Sequence, residues 1–208
     1  MSNEEPNNTA TPASSPGLET PKRVRVWDPL VRIFHWSLVA GFATAFIVED
    51  DLLRVHVWAG YLVLVLISVR LVWGLIGTRH ARFSDFVRSP GAVLAYLRDV
   101  MRLRAPRYLG HNPAGGAMIV LLLTCVAATG ISGLALYGAE EFAGPLANVM
   151  RGLPPFLGDV LEETHEVFAN VTLALILIHV VGVLASSLLH RENLIGGMIS
   201  GYKRAESE

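Results

Sequence analysis

Four long apolar segments dominate the pattern of hydrophobic and polar positions along the 208-residue chain. They cover residues 30–48, 52–76, 114–136 and 164–189, and shorter polar stretches separate them. A membrane hydrocarbon core of about 30 Å needs about 20 helical residues to cross it. Each segment meets that length or comes close to it, and the pattern therefore predicts an all-α membrane protein built on a four-transmembrane-helix bundle.

Three shorter stretches complete the predicted organisation. Residues 1–21 are polar, lack the apolar core of a signal peptide and have the composition of a disordered leader. Residues 22–204 form the transmembrane domain, and residues 205–208 form a tail. Residues 91–101 place four apolar side chains on one helical face: Val93, Leu94, Leu97 and Met101. We expect an amphipathic helix on the membrane surface there, with an ordinary solvated linker helix as the alternative.

Composition supports a membrane protein and removes several other classes. Hydrophobic residues make up 52% of the chain and charged residues only 17%, and the mean hydropathy is +0.45. A formal net charge of -1 gives no field that would attract nucleic acid. The single cysteine, Cys125, excludes an internal disulfide, a cysteine-ligated iron–sulfur cluster and a haem attached through a CxxCH motif.

Charge in the connections predicts how the helices are oriented. Arginine and lysine cluster around the start of the first helix, in the connection over residues 77–112 and in the C-terminal stretch. They are Lys22, Arg23, Arg25, Arg32, Arg79, Arg82, Arg88, Arg98, Arg102, Arg104, Arg107, Arg191, Lys203 and Arg204. The two other connections hold Glu49, Asp50, Asp51, Glu140, Glu141 and Asp159 against Arg54 and Arg151. The positive-inside rule then predicts that both termini and the long middle connection are cytoplasmic.

Two histidines in the fourth apolar segment, His165 and His179, stand fourteen residues apart. On a helix that separation falls about 40° short of four full turns and corresponds to a rise of about 21 Å. Both imidazoles therefore point the same way, with one near each side of the membrane. Because an ionisable side chain inside a membrane is costly, this pair predicts a functional site.

The predicted orientation places the other membrane histidines at matching depths. His35 lies about two turns into the first helix from the cytoplasmic side, and His56 lies about one turn into the second helix from the outer side. His56 therefore matches His165 near the outer surface, and His35 matches His179 near the inner surface. The other histidines lie in cytoplasmic connections, where we expect them to be solvated. They are His80, His111 and His190.

Two imidazoles from facing helices, at each of two depths, favour two bis-histidine haem sites. Haem iron accepts an axial nitrogen on each face of a flat apolar ring, and a helix bundle can hold that ring. Tetrahedral zinc needs more ligands at each site. A proton relay usually adds Asp or Glu at mid-depth, where these segments have none. With both axial positions filled, electron transfer is the expected role. For any one of these histidines alone, an interfacial or packing role is the alternative.

Small residues and one arginine near these histidines are candidates for contact with haem. Gly60 follows His56 by one turn, and Gly130 and Gly133 interrupt the third segment. Small residues let a flat ring or a neighbouring backbone approach closely, and ordinary helix packing is the alternative for each. Arg70 follows His56 by fourteen residues, and a buried arginine needs an anionic partner. We expect a propionate of the inner haem, with snorkelling to the surface as the alternative.

Several motifs together resemble the bacterial cytochrome b561 family, in the branch that includes the b-type subunit of nickel–iron hydrogenases. They are WDPLVRIFHW, HVWAGYLVLVLISVRLVWGLIG with the following ARFSDF, GHNPAGG, and HE followed at fourteen residues by H. The resemblance covers about residues 24–204. It implies a four-helix bundle with two non-covalent b haems, and its ligands fall on His35, His56, His165 and His179. It also implies electron exchange with membrane quinone and with a redox partner on the outer face.

The sequence therefore favours an electron-transfer subunit of a respiratory chain. We expect it to link the quinone pool to a periplasmic c-type cytochrome or hydrogenase, with the acidic outer loops docking a basic partner. Arg70, His111 and Asn112 are candidates for the surroundings of a quinone at the inner haem. Membrane lipid is the expected environment, and a homodimer is compatible with this architecture.

Two other functions stay open. A stand-alone superoxide:quinone oxidoreductase is the first, although net acidic outer loops would repel the superoxide anion. A haem-free scaffold protein that carries histidines is the second.

Overall fold

The computed structural model describes residues 23–49, 51–154 and 156–205; the predicted leader over residues 1–21 and tail residues 206–208 lie outside them. In chain order the elements are β1 (Arg23–Arg25), α1 (Pro29–Val48), α2 (Leu53–Ile76), a 3-10 turn (Arg79–Ala81), α3 (Phe83–Phe86), α4 (Pro90–Met101), α5 (Pro113–Glu140), α6 (Ala147–Met150), α7 (Phe156–Leu189), α8 (Leu194–Ser200) and β2 (Tyr202–Arg204). Within the described residues, α1, α2, α5 and α7 have the length and apolar composition needed to cross a membrane.

The helix ends differ from the predicted bounds most at α5 and α7. Helix α7 begins at Phe156, eight residues before the predicted start, and α5 continues to Glu140, four residues past the predicted end. The first turns of α7 carry Asp159, Glu162 and Glu163, which suit a helix N-terminus because its dipole is positive there. These charges interrupt the apolar pattern without interrupting the helix, so hydropathy alone places the start too late.

The long helices pack as two pairs. Helix α1 packs against α2, α5 packs against α7, and the pairs meet mainly where α2 contacts α5. The buried core lies at that junction and consists of Phe34, Val63, Ile67, Leu123 and Val126.

Large apolar side chains on the long helices are widely exposed. Ile47 is 78% exposed, Trp58 is 69% exposed and Leu188 is 80% exposed. Removing a side chain of this size from water is worth about 2 kcal/mol, and soluble proteins rarely expose extended apolar patches. The exposure and the four candidate spans are those of a multi-pass membrane protein, in which lipid surrounds the long helices.

A hydrogen-bonded centre at Asp28 closes one end of the bundle. Its carboxylate accepts hydrogen bonds from the backbone N–H of Val31 (2.9 Å), the hydroxyl of Thr78 (2.5 Å) and the indole of Trp73 (3.2 Å). Burial raises the pKa of Asp28. These hydrogen bonds and one from the backbone of Leu30 together lower it by more, so the net pKa lies below its ordinary value. The start of α1 is therefore fixed to the end of α2 by a charged acceptor.

The two short strands join the N-terminal and C-terminal parts of the chain at the same end. Strands β1 and β2 pair antiparallel, with Val24 opposite Lys203. We call this end, residues 23–32, 77–112 and 190–204, the basic pole. The opposite end, residues 49, 51–54, 139–154 and 156–166, is the acidic pole.

A buried ion-pair network holds β2 against the connection before α5. Glu192 accepts two hydrogen bonds from the Arg107 guanidinium, at 2.8 and 3.3 Å, and lies 3.3 Å from Lys203 Nζ. Lys203 also donates to the backbone carbonyls of Tyr108 and Leu109, each at 3.0 Å. Burial raises the pKa of Glu192, but the two cations lower it more, so the net pKa lies below its ordinary value.

Replacing Glu192 by Gln should destabilise the basic pole, because the change removes the buried carboxylate that Lys203 and Arg107 share. We expect a loss of about 3 kcal/mol at neutral pH, the usual scale for breaking a buried pair. Since the folded-state pKa is lowered, the contribution of Glu192 is complete above the ordinary glutamate pKa and is lost as the pH falls through the lowered value.

Thermal unfolding of the purified full chain in detergent, followed across pH, would measure this loss. The exposed Glu162→Gln variant is the matched control and should unfold like the parent. An unchanged unfolding midpoint for Glu192→Gln at neutral pH would contradict a stabilising role for the network.

Candidate functional site

Helices α2 and α7 bring two histidines together at the acidic pole. His56 lies in the first turn of α2 and His165 in the third turn of α7. Their ring centroids are 5.9 Å apart, and their ring planes are inclined at 73°. These two side chains were matched by depth in the sequence, and the fold places them side by side.

Hydrogen bonds at Nδ1 fix which nitrogen of each ring carries the proton. His56 Nδ1 lies 3.0 Å from the carbonyl of Ala45, and His165 Nδ1 lies 2.9 Å from the carbonyl of Thr129. A carbonyl oxygen only accepts, so Nδ1 must be the donor in both rings. Nε2 then carries the lone pair in each neutral imidazole, and that is the nitrogen a metal takes when a carbonyl orients the other.

A glycine makes room for the His165 ring against α5. A Cβ at Gly133 would lie 2.6 Å from His165 Cε1, which is closer than real Cβ contacts. The hydroxyl of Ser132 lies 3.3 Å from His165 Nδ1. Sequence reasoning missed Ser132 and the Thr129 carbonyl, because a backbone acceptor has no residue-type signal.

The other candidate glycines have different surroundings. A Cβ at Gly60 would meet no atom within 4 Å, and neither would a Cβ at Gly182, which follows His179 by three residues. A Cβ at Gly130 would lie 2.6 Å from Leu64 Cδ2, so this glycine allows close packing of α5 on α2. Open space beside Gly60 and Gly182 is compatible with a flat ring, whereas Gly130 serves helix contact.

The second histidine pair spans α1 and α7 nearer the basic pole. His35 and His179 are both half-buried and lie close enough to interact electrostatically. His35 Nδ1 is buried and has no hydrogen-bond partner within the described residues. A buried ring nitrogen without a hydrogen-bond partner costs free energy. A polar group of a bound ligand beside the pair would reduce that cost.

Arg70 is buried at the basic-pole end of α2, not extended to the surface. Its guanidinium carbon lies 5.0 Å from the ring centroid of Phe83 and 5.9 Å from that of Phe86. Asp28 interacts electrostatically with Arg70. The Nη1 atom of Arg70 is buried and has no hydrogen-bond partner in the described part of the chain. The guanidinium therefore has donor capacity for a further acceptor.

His111 was expected to be solvated, and the structure corrects this. Its ring centroid lies 4.5 Å from that of Trp27 and 4.9 Å from that of Phe86, and its Nδ1 is buried. Burial, followed by the positive charges of Arg70 and Lys203, lowers the pKa of His111 to about 3. The aromatic residues of the WDP and FSDF stretches enclose this ring, which single-residue reasoning did not anticipate.

The neighbouring polar residues at the basic pole have partners of their own. Asn112 Oδ1 accepts the backbone N–H of Gly115 at 2.7 Å and caps the start of α5. His80 Nδ1 lies 3.0 Å from Asp85 Oδ2, so His80 is paired rather than simply solvated.

These residues fit haem better than a tetrahedral metal site. Metal bonds to imidazole nitrogen are about 2.0–2.1 Å, so two imidazoles on opposite sides of one metal place their centroids roughly 6 Å apart. The 5.9 Å between His56 and His165 meets that requirement. Among the described residues, no group of three or more His, Cys, Asp or Glu side chains could hold a metal ion. Two nitrogens without further protein ligands suit a metal whose other positions a cofactor ring fills.

Comparisons with known proteins found one matching family and several relatives. Residues 26–201 match the family described as prokaryotic cytochrome b561. The chain is 26% identical to a probable Ni/Fe-hydrogenase B-type cytochrome subunit of Rhizobium leguminosarum bv. viciae, covering 86% of this chain and 88% of the relative. It is 24% identical to the protein of the same description from Bradyrhizobium diazoefficiens, covering 87% and 86% respectively. No solved structure matches.

Replacing Gly133 by Ala should disturb the His56–His165 pair selectively. The added Cβ needs the space that the His165 ring occupies, so we expect a lower haem content or a shifted haem spectrum. Reduced-minus-oxidised visible spectra, normalised to polypeptide, measure this. Gly91→Ala, also helical and with open space at its Cβ, is the control. Parental spectra for Gly133→Ala would show that the close contact does not matter.

Proposed function

The chain belongs to the prokaryotic cytochrome b561 family, and from that premise we propose that it is a di-haem b-type cytochrome. It carries electrons across the bacterial cytoplasmic membrane between the quinone pool and a redox partner at the outer surface. The observation that carries the proposal is the pairing of His56 with His165, at a centroid distance suited to one metal between two imidazoles. The second pair, His35 and His179, lies about 21 Å along α7, and its two rings are close enough to interact electrostatically.

Each histidine pair has a defined role in this proposal. His56 and His165 hold the outer haem through Nε2, and His35 and His179 hold the inner haem. Haem b supplies a reversible one-electron couple when bound. With two imidazoles holding each haem, neither site would offer a free position for oxygen, and both would be suited to electron transfer.

The hydrogen bonds behind the outer ligands support that role. The carbonyls of Ala45 and Thr129 hold the two rings by Nδ1. Such contacts fix ring orientation and raise the basicity of the ligating nitrogen. They come from helix backbone, which moves little, so the ligands are oriented before any cofactor binds.

The surroundings of the inner haem come from the basic pole. A buried guanidinium requires an acidic partner. In this proposal Arg70 donates to a propionate of the inner haem. His111 is close enough to Arg70 and His179 to interact with them electrostatically. In this proposal His111 and Asn112 form part of the surroundings of a quinone. His111 is neutral at physiological pH because burial holds its pKa near 3, so its ring offers both a donor and an acceptor.

Orientation and partner follow from charge and from the relatives. The basic pole faces the cytoplasm by the positive-inside rule, which places the acidic pole and the His56–His165 pair outside. The curated relatives are described as probable Ni/Fe-hydrogenase B-type cytochrome subunits. We propose a periplasmic hydrogenase or c-type cytochrome as the outer partner, docking through complementary charge at the acidic pole.

Single substitutions of the ligands should remove haems one site at a time. We expect His165→Ala to lose the outer haem and His179→Ala to lose the inner haem, each halving the b-type absorbance per polypeptide. His190→Ala, at the surface of the basic pole, is the control and should keep both. Retention of both haems by His179→Ala would contradict the ligand assignment.

The choice of redox partners needs a separate experiment with the full chain in vesicles. We expect reduced quinol to reduce the haems, and an oxidised partner added outside to reoxidise them at a rate that falls with salt. If superoxide reduces the haems faster than quinol does, and independently of a partner protein, the superoxide:quinone oxidoreductase replaces this proposal.

A further inference from the structure

One face of α4 is fixed to the bundle. The helix starts after Ser89, whose hydroxyl accepts the backbone N–H of Ala92, and has Pro90 in its first turn. Tyr96 is 5% exposed and its ring centroid lies 5.8 Å from that of Tyr108. Tyr96 therefore anchors α4 at the basic pole. This contact fixes the directions in which the other faces of α4 point.

A second face of α4 is apolar and exposed. Leu94, Leu97 and Met101 are 51%, 43% and 76% exposed. At about 100° per residue they fall within an arc of about 60°, beginning about 100° away from Tyr96. No described residue covers this stripe. Its exposure would cost free energy in water but not in the acyl region of a membrane. A helix with such a stripe beside basic residues has the character of one lying in the membrane interface.

Arginines adjoin the stripe without internal counter-charges. Arg98, Arg102 and Arg104 are exposed, and none forms an ion pair among the residues that the structure describes. Two nearby carboxylates are already committed. Asp85 pairs with Arg79 and His80, and Glu192 pairs with Arg107 and Lys203. Asp99, on the same helix, forms no ion pair with them among the described residues. Arg98 in α4, and Arg102 and Arg104 just after it, are therefore available to an external anion.

We propose that α4 is a binding surface for anionic phospholipid headgroups. The Leu94–Leu97–Met101 stripe enters the acyl region, and Arg98, Arg102 and Arg104 contact the phosphates of lipids that carry net negative charge. Lipid is the occupant that supplies both an apolar phase and an anion, and the ends of α2 and α5 place α4 at the membrane boundary. Each basic residue near an anionic surface contributes about fivefold in affinity.

The position of the stripe can be measured with one label on the full chain. In a Cys125→Ala background, Met101→Cys carries a fluorescent label in nanodiscs of phosphatidylcholine and phosphatidylglycerol. Acyl-chain nitroxide lipids should quench this label strongly. Ala95→Cys, which is exposed on a different face of the same helix, is the matched control and should be quenched severalfold less. Equal quenching at both positions, or quenching of Met101→Cys mainly by a water-soluble quencher, overturns the proposal and leaves the stripe open to a protein partner.

The headgroup preference has its own test. Arg98→Gln, Arg102→Gln and Arg104→Gln are combined, and the phosphatidylglycerol retained per polypeptide after detergent extraction is measured by mass spectrometry. We expect at least a tenfold loss of preference over phosphatidylcholine, with haem spectra unchanged. Arg54→Gln with Arg151→Gln, at the acidic pole, is the control and should keep the parental preference. Parental lipid retention by the triple variant, or an equal loss in the control, overturns the proposal.

Discussion

The fourteen-residue separation of His165 and His179 on a single rigid helix is the constraint on which the rest of the structure depends. A helix fixes both the direction of the two imidazoles and the distance of about 21 Å between them. Partners must then come from two levels of the bundle, which the start of α2 and the first half of α1 supply. Since α1 and α2 pair with each other and α5 pairs with α7, the histidine-bearing side of α7 is directed at the α1–α2 pair.

The remaining features serve to hold that arrangement. Helix α5 holds α7 by three contacts. Gly133 leaves room for the His165 ring, and the Thr129 carbonyl accepts from His165 Nδ1. The Thr129 hydroxyl also contacts the fully buried Thr172. At the basic pole, Asp28 ties α1 to α2, and Glu192 ties β2 to the connection before α5. Both centres are buried carboxylates with several partners, so separating these elements would cost the hydrogen bonds and ion pairs that each carboxylate makes.

Periodicity and charge in the sequence predict the elements that contact lipid, since length and hydropathy decide those. They also bring His56 and His165 into one pair from depth alone. Features that depend on tertiary contact are not readable in this way. The enclosure of His111 by Trp27 and Phe86, the β1–β2 strand pair and the Glu192 network all depend on residues far apart in the chain. A histidine in a polar connection looks solvated until the aromatic residues around it are in place.

The most direct test of the two-site account is the haem content and electronic state of the unaltered full chain. Pyridine haemochrome absorbance against polypeptide gives the stoichiometry, and electron paramagnetic resonance of the oxidised protein gives the ligation. Two non-covalent b haems per chain, both low-spin ferric with bis-histidine signals, are the predicted result. A single haem per chain, or a dominant high-spin signal from an open axial position, would contradict the account.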